Sequence, residues 1–348
     1  MKIVVITQQV DPAHPALAAT VPKIAALARL SSEVTVLADT ATPNVLPPNV
    51  RIRPFGARTK IARALRFEAA LTSELAARPR PAAVLAHMCP IYAVLAAPLA
   101  RPLRVPVALW YTHWHASATL RLAARLSNIV LTVDRRSFPL RSQKVHPIGH
   151  GVDVAAFRCR RANESGGGLR ALALGRYSPA KGLEVVLRAV SAAQARGADV
   201  RLDVHGPALN RMEQQHRSRM SELVDALGLA ECVRLGDAVD RRNLSQVFAA
   251  HDVLVNNMRP GAPDKVVYEA AAACLPVLAS NPVFDTLLDE RLRFEPDDAA
   301  ALADRLVEFS AIPEAARAEI GRTLRERVVG AHSVEHWAEQ VVTTVRRA

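Results

Sequence analysis

The 348-residue sequence predicts an α/β protein of two Rossmann-like domains facing across a cleft. Three observations carry that expectation. The length gives about two domains at roughly 150 residues each, every one large enough to bury its own core. Short β-branched runs alternate with helical patterns, the signature of a parallel sheet with helices on both faces. The series is interrupted once, by the breaker-rich stretch 149–168 that ends in Glu164-Ser165-Gly166-Gly167-Gly168, and then restarts.

The first series places strands at 2–7, 33–38, 50–55, 82–87, 105–111, 129–133 and 145–149, and the second at 169–175, 200–206, 232–236, 252–256, 276–280 and 292–294. Residues 81–100 lack any Asp, Glu, Lys or Arg but contain Pro81, His87, Pro90 and Pro98. They read as a buried strand followed by a helix opening near Pro90, because buried parallel strands are continuously apolar. Leu183, Val186, Leu187 and Val190 recur at helical spacing, and 313–347 reads as helices broken at Gly330. The expected organisation is a first domain over 1–150, a second over 151–330, and a C-terminal helix over 331–348 able to cross back to the first.

Composition narrows the function. Half the residues are apolar and 22% are charged, which excludes a disordered chain and indicates a soluble globular one. The formal charge of +12 is uneven: residues 1–150 hold 19 Lys+Arg against 6 Asp+Glu, while 151–348 hold 26 against 27. A one-sided positive field attracts nucleic acid, anionic lipid or phosphorylated substrates. Aromatics are 4% of the chain and do not interleave with arginine, which argues against nucleic-acid binding. Cys89, Cys159, Cys232 and Cys274 match neither a zinc framework nor a disulfide scaffold, and read as buried thiols of a reducing cytoplasm. The apolar run after Met1-Lys2 is too short for a secretory signal.

Two segments carry chemistry. Gly175-Arg176-Tyr177-Ser178-Pro179-Ala180-Lys181-Gly182 joins a strand to an amphipathic helix. Arg176 and Lys181, five residues apart on such a loop, can converge on one diphosphate, the alternative being a solvated basic loop. Farther on, Asp264-Lys265-Val266-Val267-Tyr268-Glu269 opens a helix otherwise built of small and apolar residues. Glu269 needs a polar partner there, such as vicinal ribose hydroxyls, unless it is a surface residue. The loop 259–263 before it would offer backbone N–H groups at a helix N-terminus.

Together these segments resemble the donor-binding domain of family 4 glycosyltransferases, retaining enzymes of GT-B fold. Gly175-Arg176 with Lys181-Gly182 resembles the family's diphosphate pair, and His150-Gly151-Val152-Asp153 with Phe157 resembles its interdomain element. Glu269 with Pro276-Val277 is similar to the ribose-binding segment, and Val233-Arg234-Leu235-Gly236 to the loop that contacts the base. The family's first acidic residue is replaced by Gly261, and the stretch is closer to the subgroup with Pro-x-Lys-x-x-Glu, here Pro263, Lys265 and Glu269. The usual Gly-Gly loop after the first strand is replaced by Gln8-Gln9-Val10-Asp11-Pro12-Ala13-His14-Pro15.

The resemblance implies transfer of a sugar from a nucleotide-diphosphate sugar to a hydroxyl acceptor with retention of configuration. Arg176, Lys181 and His113 would be catalytic, with Glu269, Lys265, Gly236, Gly261 and Gly175 binding the donor. His113 belongs to Tyr111-Thr112-His113-Trp114-His115, which resembles the family's strand-end histidine near donor sugar and acceptor. No metal and no cofactor beyond the donor substrate is expected, since two cations already neutralise the diphosphate. The alternatives are a degenerate relative that binds the sugar nucleotide without turning it over, and an arginine-rich nucleic-acid binder. Arg58, Lys60, Arg63 and Arg66 surround Ile61 and Leu65, the pattern of a helix lying in an anionic membrane interface or, alternatively, of one packed on the first sheet. The expected location is the cytoplasm, with a peripheral position on the membrane and a lipid-linked acceptor among the options.

Overall fold

The computed structural model describes residues 1–14, 17–159 and 168–348. Pro15, Ala16 and residues 160–167, where part of the predicted strand-loop and linker motifs fall, lie outside the described residues. The chain divides into two compact units, Met1–Asp153 with Gly330–Ala348, and Val154–Val329.

In the first unit the elements run β1 (Lys2–Val10), α1 (Thr20–Arg29), β2 (Glu33–Ala41), β3 (Val50–Pro54), α2 (Lys60–Ala76), β4 (Ala83–His87), α3 (Pro90–Ala100), β5 (Val107–Trp110), α4 (Ala118–Leu126), β6 (Ile129–Thr132) and β7 (Val145–Pro147). They form a seven-stranded parallel sheet in the order β3-β2-β1-β4-β5-β6-β7. Every residue of β4, β5 and β6 is buried, as expected for central strands covered on both faces. The uncharged stretch is therefore β4 followed by α3, and no helix among the described residues is long and apolar enough to cross a membrane.

The second unit continues with β8 (Leu169–Leu174), α5 (Leu183–Ala195), β9 (Val200–His205), α6 (Arg211–Ala226), β10 (Val233–Gly236), α7 (Leu244–Ala249), β11 (Val253–Asn256), α8 (Lys265–Ala272), β12 (Val277–Ala279), α9 (Ala299–Ala311) and α10 (Glu314–His332), whose last three residues count with the first unit. Its parallel sheet has the order β10-β9-β8-β11-β12. The strand order reverses between β8 and β11, so the loops leaving their carboxyl ends diverge and open a crevice, the position where open α/β sheets bind ligands.

The last helix, α11 (Val334–Arg346), belongs to the first unit. Its Trp337 is buried beside Lys23 of α1, whose ammonium lies 3.9 Å from the Trp110 ring centre and 5.4 Å from that of Trp337. A cation between two indole faces holds α1, β5 and α11 together. His87, at the end of β4, stacks on Trp110 with ring centres 4.8 Å apart. Burial, and then the Lys23 charge, push its pKa well below the usual histidine range.

Three expectations need correction. Residues 292–294 do not form a strand: Glu290–Leu292 is a 3-10 turn, and a single bridge joins Ala279 to Arg293. Gly330 does not break the C-terminal helices but lies inside α10, and the break falls at Ser333, whose hydroxyl accepts from the His336 N–H and caps α11. One interior glycine costs a helix only about 1 kcal/mol, too little to end it without a cap. Finally, Cys159 and Cys274, 115 residues apart, form a disulfide rather than two thiols. Cys89 is a buried thiol, which burial pushes up to about 12, and Cys232 is a half-buried one.

Candidate functional site

The loop from β8 to α5 is shaped by Gly175 and Gly182, whose φ values are +146° and +53°. A side chain at 175 is disfavoured by the backbone and would push the end of Lys181 aside. The backbone lies in a region L-residues avoid, and a Cβ would stand 2.6 Å from Lys181 Cε. The Lys181 side chain therefore runs across bare backbone. Its ammonium forms an ion pair with Asp264, and Asn256, the last residue of β11, donates to the same Asp264 oxygen at 2.9 Å. Asn257 donates to the Gly182 carbonyl at 3.1 Å, fixing the β11 loop to the end of the β8 loop. Gly175, Arg176, Lys181, Asn256 and Asn257 line one cavity at the reversal of the strand order.

Arg176 is not a free surface cation: its Nη1 lies 3.1 Å from the buried carboxylate of Glu213 on α6. Its neighbour Tyr177 is buried and donates to the Gly236 carbonyl at 2.8 Å, under the Arg217 guanidinium 5.0 Å from its ring centre. That bond ties the end of β10 to the β8 loop. Gly236 is itself required by close packing, because a Cβ would lie 2.5 Å from His205 Nδ1.

Glu269 is 3% exposed, which removes the surface alternative. Its Oε1 lies 3.0 Å from Arg241 Nη1 and 3.2 Å from Lys265 Nζ, one turn earlier on α8. The polar partner the sequence required is thus two cations. Arg241, on the loop after β10, is a site residue the sequence reading missed. Its role depends on β10 and α8 being brought together, and no local pattern marks it. Asp264 and Glu213 escaped notice for the same reason. Gly261 stands in the loop before α8 with φ +138°. Asp264 occupies the N-cap position of α8 but makes no side-chain cap bond, and only its backbone carbonyl accepts from the first turn, from the Val267 N–H at 3.2 Å.

The structure brings Gly175, Arg176, Lys181, Gly236, Lys265 and Glu269 to the carboxyl edge of the second sheet. Arg176 and Lys181 are drawn there as ion pairs, not as the solvated loop that was the alternative. His113 belongs to the first unit, in the exposed loop after β5. Its ring stacks on Trp114 at 5.4 Å, and its Nδ1 accepts from the His115 N–H at 3.1 Å. Partial burial, and then the nearby His115, lower its pKa from the ordinary histidine value. Trp114 is 64% exposed.

The basic segment 58–66 divides. Thr59 caps α2, so Lys60 opens the helix and Arg58 precedes it. Phe67, Leu71 and Leu75 pack on the sheet while Ile61 and Leu65 are 76% and 61% exposed, so the helix has both an inward and an outward apolar face. Arg63 departs from the expected free flank: it pairs with Asp39 at 3.2 Å and donates to the Ala57 carbonyl. Arg66 donates to the Gly56 carbonyl at 2.6 Å and is otherwise exposed.

Replacing Gly175 with alanine is expected to displace Lys181 while leaving the sheet intact. An ångström of misplacement at a reacting centre costs about 100-fold. Donor turnover should fall by that order with a melting temperature within a few degrees of wild type, and unchanged turnover would mean that Gly175 does not set the lysine's position.

Residues 168–311 match the family model for glycosyl transferases group 1. No curated protein matches the chain in sequence. Among solved structures, Anabaena Alr3699/HepE in complex with UDP-glucose is similar over 100% of both chains, with 17% identity and a TM-score of 0.76. A glycosyltransferase from Rickettsia africae matches at 14% identity over 99% of this chain and 98% of its own, with a TM-score of 0.77. Sucrose-phosphate synthase from Thermosynechococcus elongatus matches at 19% identity over 99% and 98%, with a TM-score of 0.74. Residues 168–311 thus match the group 1 glycosyl transferase family model, and the chain shares the two-domain fold of these structures over its whole length.

Proposed function

We propose that the second unit binds a UDP-sugar and that the chain transfers its sugar, with retention of configuration, to a hydroxyl of a glycan acceptor held by the first unit. The observation that carries this reading is Lys181 lying over Gly175, beside Arg176, at the strand-order reversal of the matched domain. As the glycosidic bond to the diphosphate breaks, positive charge grows on the sugar ring and negative charge on the departing phosphate. Arg176 and Lys181 stabilise that departing charge, which is the largest electrostatic demand of the reaction. Glu269, oriented by Arg241 and Lys265, is the group that reads the ribose hydroxyls. UDP is favoured because HepE, of the same fold, is complexed with UDP-glucose.

His113 and Trp114 support the acceptor half of the reading. An exposed indole backed by an imidazole, at the carboxyl end of a parallel strand, offers a flat apolar face beside hydrogen-bonding groups, which suits a sugar ring. Thermal shift with UDP-, GDP- and dTDP-sugars tests the donor: a ligand at 100 times its dissociation constant adds about 2.7 kcal/mol. The expected result is a shift with UDP-sugars, then product of retained anomeric configuration by NMR. Saturable binding with neither transfer nor donor hydrolysis across an acceptor panel would support the degenerate reading instead.

The outward Ile61/Leu65 face with Arg58, Lys60 and Arg66 supports peripheral contact with anionic lipid, and so a lipid-linked acceptor. Each basic residue near such a surface contributes about 1 kcal/mol. Lys60→Glu with Arg66→Glu should release the protein from anionic vesicles at low salt, whereas Arg63→Glu should act mainly on stability through Asp39. Sedimentation without binding of the wild type to anionic vesicles would remove the membrane from the proposal.

A further inference from the structure

Asp264 stands where an aspartate ordinarily caps its own helix. Asn210, Asp298 and Ser333 do so in this chain, each side chain accepting a backbone N–H from the first turn of its helix. Asp264 makes no such bond to α8. Its carboxylate turns across the crevice to the Lys181 ammonium and the Asn256 amide, both of which meet Oδ2. The two charged side chains are 24% and 15% exposed, so the pair is partly withdrawn from water and screened less than a surface pair. In place of a helix-capping contact, the carboxylate's partners among the described residues lie on the β8 loop and at the end of β11.

We propose that Asp264 is a selectivity and positioning residue, an internal carboxylate that holds Lys181 over Gly175 and competes with incoming anions for its ammonium. The inference rests on the donor-site reading above. An anion reaching Lys181 must take the place of a carboxylate already hydrogen-bonded there, and the exchange is favourable only when further contacts come with it. A diphosphate reaches Lys181 and Arg176 together. A single phosphate exchanges one ion pair for another and gains little. Arg176 is held in a parallel way by Glu213, but Glu213 is buried and also accepts at 2.8 Å from the N–H of Leu209, just before α6. Replacing Glu213 would disturb the fold, so Asp264 is the informative position.

The experiment titrates UDP, UMP and inorganic phosphate into the full-length wild type and Asp264→Asn, with urea midpoints recorded for both and Asp264→Ser as a second variant if the first unfolds early. The wild type should prefer UDP over UMP by about 100-fold or more. Removing the competing charge should raise affinity for UMP and phosphate by about tenfold, more than for UDP, so that the UDP-to-UMP preference narrows. A purely structural Asp264 would lower the urea midpoint and leave that preference unchanged, which would overturn the proposal, as would equal weakening of all three ligands. A wild type that does not bind UDP would instead overturn the donor-site reading on which it stands.

Discussion

Lys181→Ala and Arg176→Ala should each lower kcat by about two to three orders of magnitude, the usual cost of removing one preorganised charge from a developing anion. The sequence alone gives no reason for either change to affect folding, but the structure does. Lys181→Ala leaves Asp264 with only the Asn256 amide, and a partly buried carboxylate that loses its cation costs about 1–3 kcal/mol. Arg176→Ala should be milder, because Glu213 keeps the Leu209 N–H and Arg176 itself is more than half exposed. Adding Asp264→Asn to Lys181→Ala should recover stability without recovering turnover. Chemical denaturation and steady-state donor consumption on the same four proteins separate the two roles, and recovery of turnover in the double variant would show that the lysine acts only through the fold.

Glu269→Gln should have the second-largest effect, and on two readouts. The carboxylate balances Arg241 and Lys265, and breaking a fully buried pair costs about 3–5 kcal/mol. Arg241 is a third exposed and Lys265 a quarter, so solvent reduces the expected loss to about 2 kcal/mol. Affinity for UDP should also fall about tenfold, as a charge-assisted bond to ribose becomes a neutral one. A stability loss with unchanged UDP affinity would leave Glu269 as the anchor of Arg241 and take it out of the nucleotide site.

The parts of this molecule readable in the sequence are those in which local chemistry and tertiary environment agree. Central strands such as Val107–Trp110 and Ile129–Thr132 are β-branched or apolar throughout because both faces are covered, and the pattern states their burial directly. Gly175, Arg176 and Lys181 are close in sequence, and Lys265 and Glu269 share a helical turn, so half of the candidate site could be found by spacing. The other half consists of partners joined only by the strand order. Arg241 reaches Glu269 across 28 residues, Lys181 meets Asp264 across 83, and Cys159 meets Cys274 across 115. No spacing rule connects such pairs. Gly330 misled for the opposite reason, since a glycine that costs a helix about 1 kcal/mol looks like a stop signal until the true cap, Ser333, is identified. Residues 292–294 read as a strand on apolar content, yet they meet the sheet only as a single bridge at Arg293, where the Phe294 N–H donates to the Ala279 carbonyl.

In the proposed donor site, Arg176 and Lys181 hold the diphosphate of the nucleotide donor. Calorimetric titration of UDP into the wild type and into the Arg176→Ala, Lys181→Ala double variant tests it most directly. Saturable binding by the wild type and a loss of about 100-fold or more in a double variant that remains folded is the predicted result. Equal affinity in the two proteins would contradict it and place the diphosphate elsewhere.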